Sequence, residues 1–157
     1  MIDTEPKPAG AVAGNAPETR RGRRLKVLLV TVGLGVGGTE TQILELASRL
    51  DRNRFDVLVC GLKKDHAVAE ELRVRGIRVS TLDGSGKGDF RVLYRLARLI
   101  RAERPDIVHA FLGFANLAAS LVGRLLCVPV VIWSYRDVEV WKTKAHWLAD
   151  RMGARWA

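Results

Sequence analysis

The chain has 157 residues, enough for one domain with a genuine core and too few for two full ones. Hydrophobic residues make up 48% and charged residues 27%, an ordinary globular balance that excludes a wholly disordered or fibrous chain. The formal net charge is +9, of which residues 1–24 supply only +2, so the folded part is basic and suits an anionic partner: phosphate groups, a membrane surface or nucleic acid.

Residues 1–24 are rich in Pro, Gly, Ala and charge, and lack any hydrophobic period. They are expected to be a disordered basic leader, solvated or resting on an anionic surface through Arg20, Arg21, Arg23 and Arg24. The leader has no apolar core of a signal peptide, and the apolar runs fall short of the ~20 residues that span a bilayer. A cytoplasmic chain is expected, peripheral at most to the inner face of a membrane. Cys60 and Cys127 lie in apolar runs and are expected as buried free thiols of a reduced compartment.

Beyond the leader, apolar runs alternate with amphipathic segments. Leu25–Thr31 is a predicted strand, and Thr39–Leu50 a helix with Ile43, Leu44, Leu46, Ala47 and Leu50 on its core face. Thr39 and Gln42 fit a capping box at its start. Phe55–Cys60 is the second strand, followed by a helix over His66–Arg75 that Gly76 stops and a third strand, Ile77–Thr81. The next helix spans Asp89–Glu103 and has ended by Pro105. Asp106–Phe111 is the fourth strand, Asn116–Leu126 an almost wholly apolar helix, Val128–Trp133 the fifth strand and Val138–Trp156 a final helix. Strands without polar alternation, separated by helices, predict a Rossmann-like, doubly wound parallel sheet in one α/β domain over residues 25–157.

The most informative stretch joins the first strand to the first helix. Gly33, Gly35, Gly37 and Gly38 crowd into six residues there. Glycines permit positive φ and close approach of a ligand, and the start of a helix favours a phosphate. Strand carboxyl ends are also where open α/β sheets bind ligands. A tight turn with no ligand is the alternative. Gly33, Gly35 and Gly38 satisfy G-x-G-x-x-G, but no carboxylate closes the second strand, where Lys63 and Lys64 stand instead. An NADP site therefore stays open as an alternative, since those lysines suit a 2′-phosphate. A P-loop is excluded because no Gly-Lys-Ser/Thr follows.

Taken together, GLGVGGTETQILELASRL, RFDVLVCGL and RPDIVHAFLGFANLAASLVGRLLCVPVVIWSYRD resemble the N-terminal domain of the glycosyltransferase family 4-like enzymes. The resemblance covers roughly residues 25–157, and Gly37-Gly38-x-Glu40 with Pro105–His109 carries it. It implies half of a GT-B architecture, in which the N-terminal domain binds the acceptor and a C-terminal Rossmann-like domain holds most of the nucleotide-sugar site. It further implies transfer with retention, usually without a metal, and approach of Gly35, Gly37 and Gly38 to the donor diphosphate. His109 is then the candidate catalytic residue, and Glu40 and Arg136 candidates for holding the acceptor or another ligand.

Two departures follow. Arg136 stands where many members have a His after the fifth strand. A guanidinium suits a phosphate or carboxylate but cannot act as a base near neutral pH. Phe111 stands where a second His often follows the first. No second Rossmann-like domain lies within these residues, so the chain alone is not expected to catalyse transfer. A solitary binding module for an anionic ligand is the non-catalytic alternative.

Elsewhere, Arg91, Arg95 and Arg98 line one side of a helix, either as a solvated face or as a basic face for anionic lipid. Trp141 and Trp147 could join that face or pack on a partner domain. His146, Asp137, Glu139 and Asp150 show no metal-ligand spacing, and neither a metal nor a cofactor is expected; the nucleotide-sugar is a substrate. Nucleic acid is not expected as a partner either, because no aromatic and basic residues interleave.

Overall fold

The computed structural model describes residues 23–64, 67–84 and 89–135. Arg136, the predicted helix Val138–Trp156, His66 and most of the leader lie outside the described residues. The elements run β1 (Leu25–Thr31), α1 (Gly38–Arg49), β2 (Phe55–Lys63), α2 (Ala67–Val74), β3 (Arg78–Gly84), α3 (Phe90–Glu103), β4 (Ile107–Phe111), α4 (Gly113–Leu125) and β5 (Val130–Ser134).

The strands form one five-stranded sheet in the order β3-β2-β1-β4-β5, and every neighbouring pair is parallel. This is the doubly wound arrangement that the alternation of strands and helices predicts. Residues along each strand alternate between the two faces. Leu28, Val30, Leu58, Cys60, Val108 and Ala110 pack against Leu96 and Ala119 of the α3–α4 layer. Leu29, Val59 and Phe111 pack against Ile43, Ala47 and Leu72 of the α1–α2 layer. Each fully buried aliphatic side chain of this kind contributes roughly 1.5–3 kcal/mol.

Element ends follow local chemistry. Asp89 caps α3 by accepting from the Arg91 backbone N–H at 3.0 Å, which is worth about 1 kcal/mol. Val92, Leu96 and Ile100 then recur at helical spacing on its buried side. Gly76 takes φ of 70°, the left-handed turn that ends α2. The expected capping box at Thr39 and Gln42 does not form. The N-cap of α1 is Gly37, which has no side chain to cap with, and the hydroxyl of Thr41 bonds back to the Gly37 carbonyl. Helix α4 begins three residues ahead of the predicted Asn116, at Gly113, because Leu112 turns the chain with φ of 71°. Two further expectations change. Cys60 is buried, whereas Cys127 is exposed, in the left-handed turn that follows α4 (φ of 53°). The guanidinium of Arg95 does not join a solvated face but donates to the carbonyls of Leu82 and Asp83.

Candidate functional site

The candidate site lies along the edge where the strands end. Thr31, Phe111 and Ser134 stand in register there on β1, β4 and β5, and the Leu112 N–H donates to the Ser134 carbonyl at 3.1 Å. All four described helices start at this edge; α3 is capped by Asp89, whereas α1 and α4 have no side-chain cap. The first N–H groups of α1 and α4 are therefore left for water or a ligand.

The loop between β1 and α1 is held from below. Leu34 is fully buried in the cluster with Ile43 and Phe111. The Val32 carbonyl accepts from Lys63 at 3.0 Å and the Leu34 carbonyl from Val68 at 3.3 Å. Val36, two residues on, is 92% exposed. The loop is thus a fixed platform whose upper side faces solvent. Contrary to the expectation of positive φ, none of Gly33, Gly35, Gly37 and Gly38 uses the left-handed region. A Cβ at Gly33, Gly35 or Gly38 would meet nothing within 4 Å. Neither backbone strain nor packing within the chain explains these three glycines. They leave the backbone open at this edge.

Gly37 is different. Its backbone is extended, with φ of −172°, yet a Cβ there would lie 2.5 Å from a carboxylate oxygen of Glu40. Glu40 folds back over the start of α1, where a negative charge is favoured by the helix dipole. The carboxylate thus stands beside the open glycine backbone.

His109 sits at the centre of β4 and is half-buried. Its Nε2 lies 2.7 Å from the hydroxyl of Ser134, and its ring stacks on Phe111 with centroids 4.3 Å apart. His109 shares with Phe111 the sheet face that α1 covers. The His109–Ser134 pair and the glycine loop with Glu40 therefore belong to one side of one edge. Lys63, the last residue of β2, and Lys64 after it are exposed, and no carboxylate stands at the end of the strand.

Three residues escaped the sequence reading. Ser134 pairs with His109 across 25 positions of chain. Thr31 and Asn116 are both fully buried, and the Thr31 hydroxyl and both polar atoms of the Asn116 side chain have no hydrogen-bond partner. Such groups are rare in folded proteins and cost about 1–3 kcal/mol each. Both stand at this edge, Thr31 closing β1 and Asn116 in the first turns of α4. An open groove of about 540 Å³ lies away from it, beside the first residues of β3. Arg78 and Glu103 in its wall pair with each other. Among the described residues no group of three or more His, Cys, Asp or Glu could hold a metal ion.

Strand order, uncapped helix starts and the glycine platform define a Rossmann-like half domain of the GT-B kind. Residues 36–157 match the family described as Glycosyltransferase Family 4, and the chain belongs to that family. Among solved structures it is similar to HepE of Anabaena in complex with UDP, with 17% identity and a TM-score of 0.68 over 85% of this chain and 36% of that one. It is similar to MurG of Acinetobacter baumannii, with 18% identity and a TM-score of 0.62 over 85% of this chain and 39% of that one. UDP-GlcNAc 2-epimerase of Neisseria meningitidis bound to UDP-GlcNAc matches with 18% identity and a TM-score of 0.57, over 82% of this chain and 38% of that one. The chain thus spans well under half the length of each. No curated protein matches it.

Proposed function

We propose that this domain is the acceptor side of a retaining glycosyltransferase, which moves a sugar from a nucleotide-sugar donor to an acceptor across a cleft closed by a second Rossmann-like domain. The observation that carries this reading is the open glycine platform at the uncapped start of α1, on the same side of the sheet edge as His109 and Ser134. In this reading Gly35, Gly37 and Gly38 let the donor diphosphate come close to backbone N–H groups. The carboxylate of Glu40 is an acceptor-only group and suits sugar hydroxyls rather than phosphate. His109, oriented by Ser134, holds or exchanges the proton of an acceptor hydroxyl, and Arg136 contributes a fixed positive charge. No metal has a role. The domain by itself is inactive, because most of the donor's contacts come from the facing domain.

Calorimetry of the purified chain with UDP, GDP and NADP tests this. Binding of UDP or GDP that is weak or undetectable, with no transfer, is the expected result for one half of a cleft. Tight binding of NADP by this domain alone would replace the transferase reading with that of an oxidoreductase domain, with Lys63 and Lys64 on the 2′-phosphate.

A further inference from the structure

The two helical layers differ in what they show to solvent. On α3, Val92, Leu96 and Ile100 point into the core, so residues half a turn away point outward. These include Phe90 and Tyr94, 80% and 66% exposed, and the exposed Arg98 and Arg101. Helix α4 repeats the pattern, with Ala115, Ala119 and Val122 inward and Leu121 and Leu125 outward, 50% and 75% exposed. The two helices pack side by side, which makes their outer faces one surface. The sole carboxylate within α3 is Glu103, and it is engaged by Arg78 and Lys26; α4 has none.

The α1–α2 layer is the contrast. Glu45, Glu70 and Glu71 pair there with Arg49, Arg73 and Arg75. Val74 is the one large apolar side chain that these two helices expose. Apolar exposure and unbalanced positive charge therefore coincide on one layer, whereas the other exposes only Val74 and pairs its arginines with carboxylates. A solvated face accounts for arginines but not for the apolar groups interleaved with them. A bilayer with anionic headgroups accounts for both, since rings and leucines enter the interface while guanidiniums stay at headgroup level. Among the described residues no helix is long and apolar enough to cross a membrane, so such contact is peripheral.

We propose that the outer surface of α3 and α4 docks the protein on an anionic lipid membrane. This stands apart from the sugar-transfer reading and fails or survives without it. The test is co-sedimentation of the full chain with vesicles of phosphatidylcholine, alone or mixed with phosphatidylglycerol, at low and high salt. Binding to the mixed vesicles at low salt, and little to the neutral ones, is expected. Arg98→Glu with Arg101→Glu lowers affinity about thirty-fold or more, and Phe90→Ser with Tyr94→Ser lowers it as well. The same charge change on the opposite layer, Arg49→Glu with Arg73→Glu, costs at most a few-fold. Circular dichroism checks that each variant is folded, and Arg98→Gln with Arg101→Gln replaces any reversal that is not.

Three outcomes overturn the proposal. One is failure to bind mixed vesicles, which leaves an acidic protein as the occupant of this surface. Another is an equal loss from both charge reversals, which reduces the effect to net charge. The third is undiminished binding by the Arg98 and Arg101 variant, which hands the contact to the basic leader.

Discussion

At the edge where the strands begin, charges are matched. Arg78 reaches both carboxylate oxygens of Glu103 at 3.1 Å and both of Asp56 at 3.2 Å. Lys26 bonds the Glu103 carbonyl through its ammonium and Asp106 through its backbone N–H, while Arg23 pairs with Asp106. The last two residues of the expected leader are thus already engaged, since Arg24 also reaches the Arg52 carbonyl. At the edge where the strands end, the chemistry is the reverse. The starts of α1 and α4 are uncapped, glycine backbone is open, and Thr31 and Asn116 bury polar atoms without partners. One edge spends its polar groups on the fold. The other leaves them unspent, which is the pattern expected where a protein gives up stability for a ligand.

The largest test of that contrast is Leu34→Ala. Leu34 is the buried anchor of the glycine platform, and its truncation opens a cavity in the α1–α2 core. A loss of about 2–5 kcal/mol in unfolding free energy is expected from denaturant titration. A loss below about 1 kcal/mol would mean that the loop is held by its backbone bonds to Lys63 and Val68 instead. Asn116→Leu has the opposite sign. Replacing two unpaired polar atoms by an apolar group of similar shape is expected to raise stability by about 1–3 kcal/mol. If the variant melts lower, Asn116 has a partner, and the claim that this edge carries unsatisfied groups loses its strongest member.

Most of the frame was legible in the sequence because it rests on periodicity. The spacing of Leu93, Leu96 and Ile100 marks α3, although Val92 rather than Leu93 is the residue fully buried, and the run of strands without polar alternation implies a sheet covered on both faces. What the sequence hid is set by contacts between distant positions or by backbone angles. Nothing local to His109 indicates that a serine 25 residues on will meet its ring. The start of α4 depends on the left-handed Leu112, a conformation costly for a residue with a Cβ and not encoded by any preference of leucine. Asn116 was visible as a polar residue in an apolar helix, but the absence of partners is a property of the packed interior. The glycine loop was legible as a distinctive feature at the end of β1, but its glycines serve the backbone differently than the sequence suggested. Its glycines leave space for an approaching group and do not supply positive φ.

Arg78→Ala tests the other edge. Its side chain is 46% exposed, so solvent screens the pairs and the expected loss is only about 1 kcal/mol, shrinking as salt is added. Burial alone would lower the guanidinium's affinity for its proton. The hydrogen bonds and charges of Glu103 and Asp56 outweigh it and hold the pKa above the ordinary value, so the group stays cationic at any working pH. Nucleotide and lipid binding should not change. If Arg78→Ala altered ligand affinity, the two edges would be coupled and the division between a structural and a functional edge would fail.

The smallest effect expected at neutral pH comes from the two thiols, which report the same division by their reactivity. Cys127 follows α4 where the chain returns to the edge at which strands begin, and it is exposed. Cys60 is sealed in β2, and burial pushes its thiol from an ordinary 9.0 to about 12. A thiol-specific reagent should label Cys127 rapidly and Cys60 only through unfolding. The pH dependence has a definite sign. Between about 9 and 12 the unfolded chain loses the Cys60 proton while the folded chain keeps it, so stability falls as pH rises through that window and is unaffected below it. Cys60→Ala should remove this part of the alkaline loss at the expense of a small cavity. If Cys60 instead labels as fast as Cys127 near neutral pH, the sheet opens locally around β2. The glycine platform, which leans on Lys63 at the end of that strand, would then be mobile rather than fixed.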